Sequence, residues 1–393
     1  MKGLMAGLSL GLLLAVGGVS YANTAMIDFT GSAPVATGLK QVNSEANKDG
    51  AVTIVQRGGK NVAQTGNKDA DHYLYLALDA AFKQNVKSVW VTVEYFDEGK
   101  GTFSLQFDGV DDPATTASGP NPRTKFDTKV FLKQTWHLIG PKLAGGMTGG
   151  ADLRIDDGTD DPEFIASISV SDEDPNFIHF PYAVNKITID GKADPAEWDG
   201  AFQVTLDHPQ LDGVGGSPNW ISADDFSGTY RFKYDETNFY VTGHVTDATP
   251  RLNTTEDGVA YWNGDGSEQF LSVDDTDVER TSCNEGTDFQ VGIGMGKTPG
   301  WAILAPTGMS LDPIGNNIMI VNTAKGYDFE VQIPWAKLNG AKVKQGQRVA
   351  WYMFANDSHD DPSAQQIALG PLGITGPSCN PHVWIRAMLD PKP

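Results

Sequence analysis

Only two cysteines, Cys283 and Cys379, occur in 393 residues. Neither has the C-x-x-C or C-x-x-C-H spacing of a redox, zinc or c-type haem motif. There is no P-loop, no G-x-S-x-G elbow and no H-E-x-x-H pair, which removes the commonest nucleotide, serine-hydrolase and zinc-protease readings. The seven histidines (72, 137, 179, 208, 244, 359 and 382) show no ligand spacing. Positive charge is scarce: 29 Lys and Arg stand against 50 Asp and Glu, for a net charge of −21. A field of that sign repels phosphate backbones and anionic lipid, so neither nucleic acid nor a membrane surface is expected as a partner. Beyond the first 22 residues no apolar run approaches the roughly 20 residues that span a bilayer, so no membrane insertion is expected.

At the N-terminus, Lys2 precedes a glycine-broken apolar run from Leu4 to Val19, and Ser20-Tyr21-Ala22 offers small residues at a cleavage position. This pattern reads as a signal peptide over 1–22, with the mature chain starting near Asn23 or Met26. The expected location is therefore extracellular or periplasmic. In such a compartment Cys283 and Cys379 read as one disulfide, two buried free thiols being the alternative. The bridge closes a loop of about a hundred residues, for which chain-entropy models give about 4–5 kcal/mol.

The composition is rich in Gly (44 residues), Thr, Asp and aromatics, which suits strands joined by turns rather than helices. Val89-Trp90-Val91-Thr92-Val93-Glu94-Tyr95 alternates with period two, and so do Phe103, Leu105 and Phe107 beyond the turn at 97–101. Together they read as a hairpin. Further strands are expected at 73–78, 129–132, 164–170, 230–234, 239–245, 268–273, 289–293, 327–333 and 349–356. Acidic, proline-bearing Ser171–Asn176 marks a boundary. Asp194-Pro195-Ala196-Glu197 carries a helix-start signature, with Asp194 as N-cap and Glu197 bonding back to it. The expectation is all-β: two β-sandwiches in series, at 26–172 and 186–393, joined by a linker at 173–185.

Several turns concentrate carboxylates near strand ends. Asp156, Asp157 and Asp160, then Asp274 and Asp275, and Asp357 supply the hard oxygen ligands that Ca²⁺ takes, and structural Ca²⁺ is the expected cofactor. Solvated Asp turns are the alternative, and no EF-hand spacing is present. The aromatics are more informative. An indole laid against the C–H face of a sugar buries apolar area and leaves hydroxyls to polar partners. Trp262 lies in the polar, Gly-rich turn Tyr261-Trp262-Asn263-Gly264-Asp265-Gly266, with Glu268 six residues on. Trp384 follows Pro381-His382, and Trp220 and Trp301 are flanked by Pro or Gly. Trp335 and Trp351 sit in or beside alternating strands and read as core.

From about residue 186 the chain resembles the family 9 carbohydrate-binding modules attached to secreted xylanases. The matching segments are Ile189-Asp190-Gly191 with Glu197-Trp198, the run Tyr261 to Phe270, Tyr327-Asp328-Phe329-Glu330-Val331-Gln332-Ile333-Pro334-Trp335, and a late Trp384. The N-terminal half looks like a galactose-binding-type jelly roll in general pattern only. The resemblance implies a calcium-holding sandwich that grips a sugar unit of a polysaccharide or oligosaccharide between two Trp rings, without cleaving it. By position, Trp262 and Trp384 are the rings and Glu268 a hydroxyl acceptor. Two other readings stay open: a haem-binding electron-transfer sandwich using Met353, Met388 or His244, and a glycoside hydrolase or lyase with an unrecognised site.

Overall fold

A computed structural model describes residues 23–393 apart from 43–47, 67–71, 85, 87, 118–121, 210–218, 250–260, 277–278, 297–298, 306–316, 362–363, 373 and 375. Residues 1–22, read as a signal peptide, lie outside the described residues. The chain is nearly all β, arranged as four sheets. Among the described residues no helix is long and apolar enough to cross a membrane.

In the N-terminal half, one sheet runs Phe131–Leu138, Val89–Phe96, Phe164–Ser171, Thr24–Asp28 and Val35–Thr37. It packs on a second sheet through Val89, Val91, Val93, Phe103, Leu105, Phe107 and Ile155, the inward faces of the alternating strands. The expected hairpin does not form. Val89–Phe96 pairs with Phe131–Leu138 and Phe164–Ser171, whereas Thr102–Phe107 pairs with Leu153–Asp156 in the other sheet. The turn between them is a corner fixed by carboxylates. Buried Asp97 accepts from Phe126 N (3.0 Å) and Thr128 N (2.8 Å), and Asp161 accepts from Lys100 N (3.1 Å) and Gly101 N (3.0 Å). Alternation names the buried face of a strand, not its neighbour.

In the C-terminal half, a seven-stranded sheet has the path Ile178–Phe180, Ile385–Leu389, Arg348–Asp357, Gly266–Ser272, Asp288–Gly294 and Gly300–Ala305, with Ile367–Leu369 attached. A five-stranded sheet runs Phe202–Leu206, Phe226–Tyr234, Asn238–Asp247, Gly326–Pro334 and Ile318–Thr323. Phe180, Phe232, Phe239 and Trp351 meet edge to face between them. The segment 173–185 is thus no free linker: Ile178–Phe180 runs parallel to Ile385–Leu389, and Phe180 enters the core.

Asp194 caps the short helix Pro195–Trp198 by accepting from Ala196 N (2.8 Å). Glu197 does not complete a capping box, because its carboxylate accepts from Thr188 N at 3.2 Å instead. Glu330 explains why this segment sits where it does. Fully buried, it accepts from Asp190 N (2.9 Å), Gly191 N (2.9 Å), Lys192 N (3.3 Å) and Trp198 Nε1 (2.7 Å). Gly191, at φ +81°, allows that turn close against the edge strand, since a Cβ there would stand 2.7 Å from Val321. Replacing Glu330 with Gln turns one acceptor into a donor facing these N–H groups. The expected loss is about 1–3 kcal/mol of stability, read by urea unfolding.

The two halves touch through a stack of rings. The His137 imidazole lies on Trp90 (centroids 4.2 Å apart) and on His382 (4.7 Å), with the two Nδ1 atoms 3.0 Å apart. Burial, with His382 and Arg386 close by, pushes His137 down to about 2. The folded state therefore takes up fewer protons than the unfolded chain below the ordinary histidine value of about 6.5. Its contribution is complete above that pH and falls away as pH drops toward 2. Wild type is expected to lose about 2 kcal/mol more than His137→Phe between pH 7 and pH 5. Thermal unfolding at the two pH values measures the difference.

Candidate functional site

The central strand Gly266–Ser272 points Glu268 and Phe270 away from the space between the sheets. Glu268 lies across from Gly292 on one side and Phe354 on the other. Gly292, Gly294 and Gly300 are spaced so that one aromatic fits over bare backbone: a Cβ at each would stand 2.8, 2.7 and 2.6 Å from Tyr261. Tyr261 is buried there with Ala302 and Leu304, and Trp262, half-buried, packs beside them. The turn thereby delivers Trp262 to the rim of a 330 Å³ cavity also lined by Glu268, Phe270, Gln290, Leu304, Phe354, Gln365, Pro377 and Ser378.

Glu268 is the polar centre of this cavity and is 3 % exposed. Its carboxylate accepts from Gln290 Nε2 (2.6 Å), Asn356 Nδ2 (3.0 Å) and Gln365 Nε2 (3.2 Å). Burial raises its pKa, and the three amide donors oppose that shift. Gln290 Oε1 in turn accepts from the Ser378 hydroxyl (2.7 Å). The result is a fixed set of acceptors and amides in a cavity that one indole also lines, a combination that can take sugar hydroxyls and a C–H face.

Trp384, expected as the second ring, is 2 % exposed. Its Nε1 donates to Pro377 O (2.8 Å) and its ring packs on Phe270 (6.0 Å), so it belongs to the hydrophobic core. Pro377 and Ser378 reach the cavity in its place. Adjacent Cys379 is bonded to Cys283 (Cα–Cα 4.6 Å), which ties this wall across 96 residues of sequence. Of the two tryptophans flanked by Pro or Gly in the sequence, Trp301 is likewise buried, and Trp220 is half-buried with its Nε1 donating to Phe226 O (2.8 Å).

Five of the six residues expected to hold calcium do not converge on a cation site. Asp156 accepts from Gly158 N (3.0 Å), Asp157 from Thr159 N (3.0 Å) and Asp160 from Thr102 N (3.0 Å). Asp274 accepts from Thr276 N (3.0 Å), and Asp275 pairs with Arg348 (3.1 Å). These are turn residues whose oxygens the chain itself uses. Asp357 differs. With Asp247 and Asp265 it forms a buried triad whose ligand atoms lie within 4.8 Å of one another, the one such group among the described residues.

Both Asp357 oxygens and one of Asp247 are buried with no hydrogen-bond donor aligned on them, although His359 Nε2 stands 3.2 Å from Asp357. Burial and the neighbouring carboxylates of Asp265 and Asp247 push Asp357 up to about 9. Three converging carboxylates, with unused oxygens on Asp357 and Asp247, fit a hard divalent cation that takes oxygen ligands, as Ca²⁺ does. The triad also adjoins the cavity in sequence. Asp265 lies between Trp262 and Glu268, and Asp357 follows Asn356.

The haem ligands do not come together: Met353 is fully buried in the core, while the His244 side chain is 67 % exposed on the opposite sheet. Gln290, Gln365, Ser378, Asp247 and Asp265 were not singled out in the sequence. Gln290 carried a signal, as a lone amide in the otherwise apolar stretch Phe289–Ile293; the others join the site only through tertiary pairing.

A family model described as "Carbohydrate family 9 binding domain-like" matches residues 189–390, just over half of the chain. Two solved structures of a family 9 carbohydrate-binding module from Caldicellulosiruptor kristjanssonii, in complex with cellotriose and with glucose, are similar to it. Each is 15 % identical with a TM-score of 0.40, covering 55 % of this chain and 94 % or 97 % of the module. No curated protein matches. On residues 189–390, the chain belongs to the carbohydrate family 9 binding domain-like family.

Proposed function

We propose that the C-terminal sandwich is a non-catalytic carbohydrate-binding module that takes one saccharide unit of a polysaccharide or oligosaccharide into the 330 Å³ cavity. The observation that carries this reading is Glu268, buried and held by three amides in a cavity that the half-buried Trp262 also lines. A cavity of this volume suits a small ligand. Trp262 supplies the stacking face, and Glu268 with Gln290 and Gln365 supplies hydroxyl partners. The second side of the ligand rests on Pro377 and Ser378 rather than on a second indole. In this reading the protein is exported and assists polysaccharide breakdown by holding the substrate. The Asp247–Asp265–Asp357 triad holds a structural Ca²⁺ that fixes the Trp262 turn to the sheet.

The solved module's ligands make cellotriose and glucose the natural probes. Calorimetric titration of the full chain with cellotriose is expected to show saturable binding, with no new reducing ends after prolonged incubation with soluble cellulose. Absence of saccharide binding across a glycan array, with Ca²⁺ supplied, overturns the reading. Release of reducing ends overturns its non-catalytic part.

A further inference from the structure

The five-stranded sheet carries a polar cleft of 560 Å³ on its outer face, and the sugar reading above makes no use of it. Two cross-strand rows make its floor. Gln203 pairs with Arg231 and Arg231 with Thr242; two residues along, Thr229 pairs with His244 and His244 with Asp328. By strand geometry the floor is about 14 Å across and the rows about 7 Å apart. Lys192 stands on the wall, in the turn that Glu330 clamps to the sheet edge.

Charge singles this cleft out. In a chain of net charge −21, it gathers an ammonium, a guanidinium and an imidazole against one half-exposed carboxylate. Arg231 donates from Nε to Gln203 Oε1 (3.1 Å), which holds its plane, and its two terminal nitrogens have no partner among the described residues. The Lys192 ammonium has none there either. His244 Nδ1 is engaged by Asp328 Oδ1 (2.5 Å), which orients Nε2 away from that carboxylate. A guanidinium with a free N–H edge accepts a planar carboxylate in bidentate fashion, and a nearby ammonium adds unselective attraction. The Thr229 hydroxyl and the Gln203 amide suit hydroxyl groups beside that carboxylate. An open, shallow floor favours a short extended ligand.

We propose that this face is a second saccharide site, selective for sugars bearing a carboxylate, with Arg231 and Lys192 binding the uronate group. It is independent of the Trp262 cavity, which lies on the other sheet. The test titrates the full chain with trigalacturonate and, separately, with cellotriose. Arg231→Gln and Lys192→Gln alter exposed cleft groups outside the core. Arg231→Gln is expected to weaken trigalacturonate binding at least tenfold, since bonds between charged groups are the strong ones. Lys192→Gln should weaken it less and flatten its salt dependence. Cellotriose binding should be unchanged in both variants, and Trp262→Ala should leave trigalacturonate binding unchanged. The proposal is overturned by undetectable trigalacturonate binding at millimolar concentration, or by binding that Arg231→Gln does not alter. Equal occupancy by inorganic phosphate overturns its saccharide selectivity.

Discussion

Trp262→Ala is expected to lower cellotriose affinity by roughly 30- to 1,000-fold, the range for losing a central aromatic anchor of about 2–4 kcal/mol. The fold should tolerate the change, because the half-buried ring sits at a cavity rim on a small satellite cluster. Trp384→Ala should behave in the opposite way. Its indole fills space against Phe270 and donates to Pro377 O, so truncation leaves a hole in the core and an unmatched carbonyl. A loss of about 3–5 kcal/mol in stability is expected. Paired urea unfolding and calorimetry separate the two outcomes. Equal loss of affinity in both variants, with both fully folded, would restore the two-ring clamp that the buried Trp384 argues against.

The second large effect is expected from cation removal. In the cation-free protein at neutral pH, Asp357 sits against two other buried carboxylates. Its raised pKa means that the protonated group contributes stability below the ordinary carboxylate value of 3.8, and that contribution is lost as pH rises toward about 9. A divalent cation reverses the penalty by replacing the proton. Saturation at a hundred times the dissociation constant stabilises by about 2.7 kcal/mol, or roughly 5–10 °C in Tm for a domain of this size. Ca²⁺ addition is therefore expected to raise Tm by that amount, chelator to lower it, and Asp357→Asn to remove the response. Because Asp265 shares its turn with Trp262, chelator should also weaken cellotriose binding. A Tm indifferent to Ca²⁺ and chelator alike would leave the triad as a proton-sharing cluster.

The legible parts of this molecule were those governed by local rules. Alternation in 89–95 and 103–107 named the core faces, and Asp194-Pro195 named a helix start. Pairing was not legible, because the 97–101 corner depends on Asp97 and Asp161 reaching segments far away in sequence. Two of the family segments turn out to be one structural device: Glu330 in the second captures Asp190, Gly191 and Trp198 in the first. The resemblance thus located the domain through its internal clamp. Trp262 was marked by a turn too polar to bury it fully. Trp384 misled because its place after Pro381-His382 reads as a loop edge, whereas its indole is buried against Phe270 and donates to Pro377 O. Acidic density did not mark the converging group: the crowded runs at 156–161 and 274–276 spend their carboxylates on backbone N–H groups and on Arg348, while the triad draws single aspartates from three distant segments.

Nine tryptophans give nine indole N–H groups, each a separate reporter in a ¹⁵N-labelled sample titrated with cellotriose. The Trp262 resonance should shift progressively to saturation, together with the side-chain amides of Gln290 and Gln365, while the buried Trp384 resonance holds still. Saturable binding that leaves Trp262 and both glutamines unmoved would place the sugar elsewhere on the molecule and contradict the account.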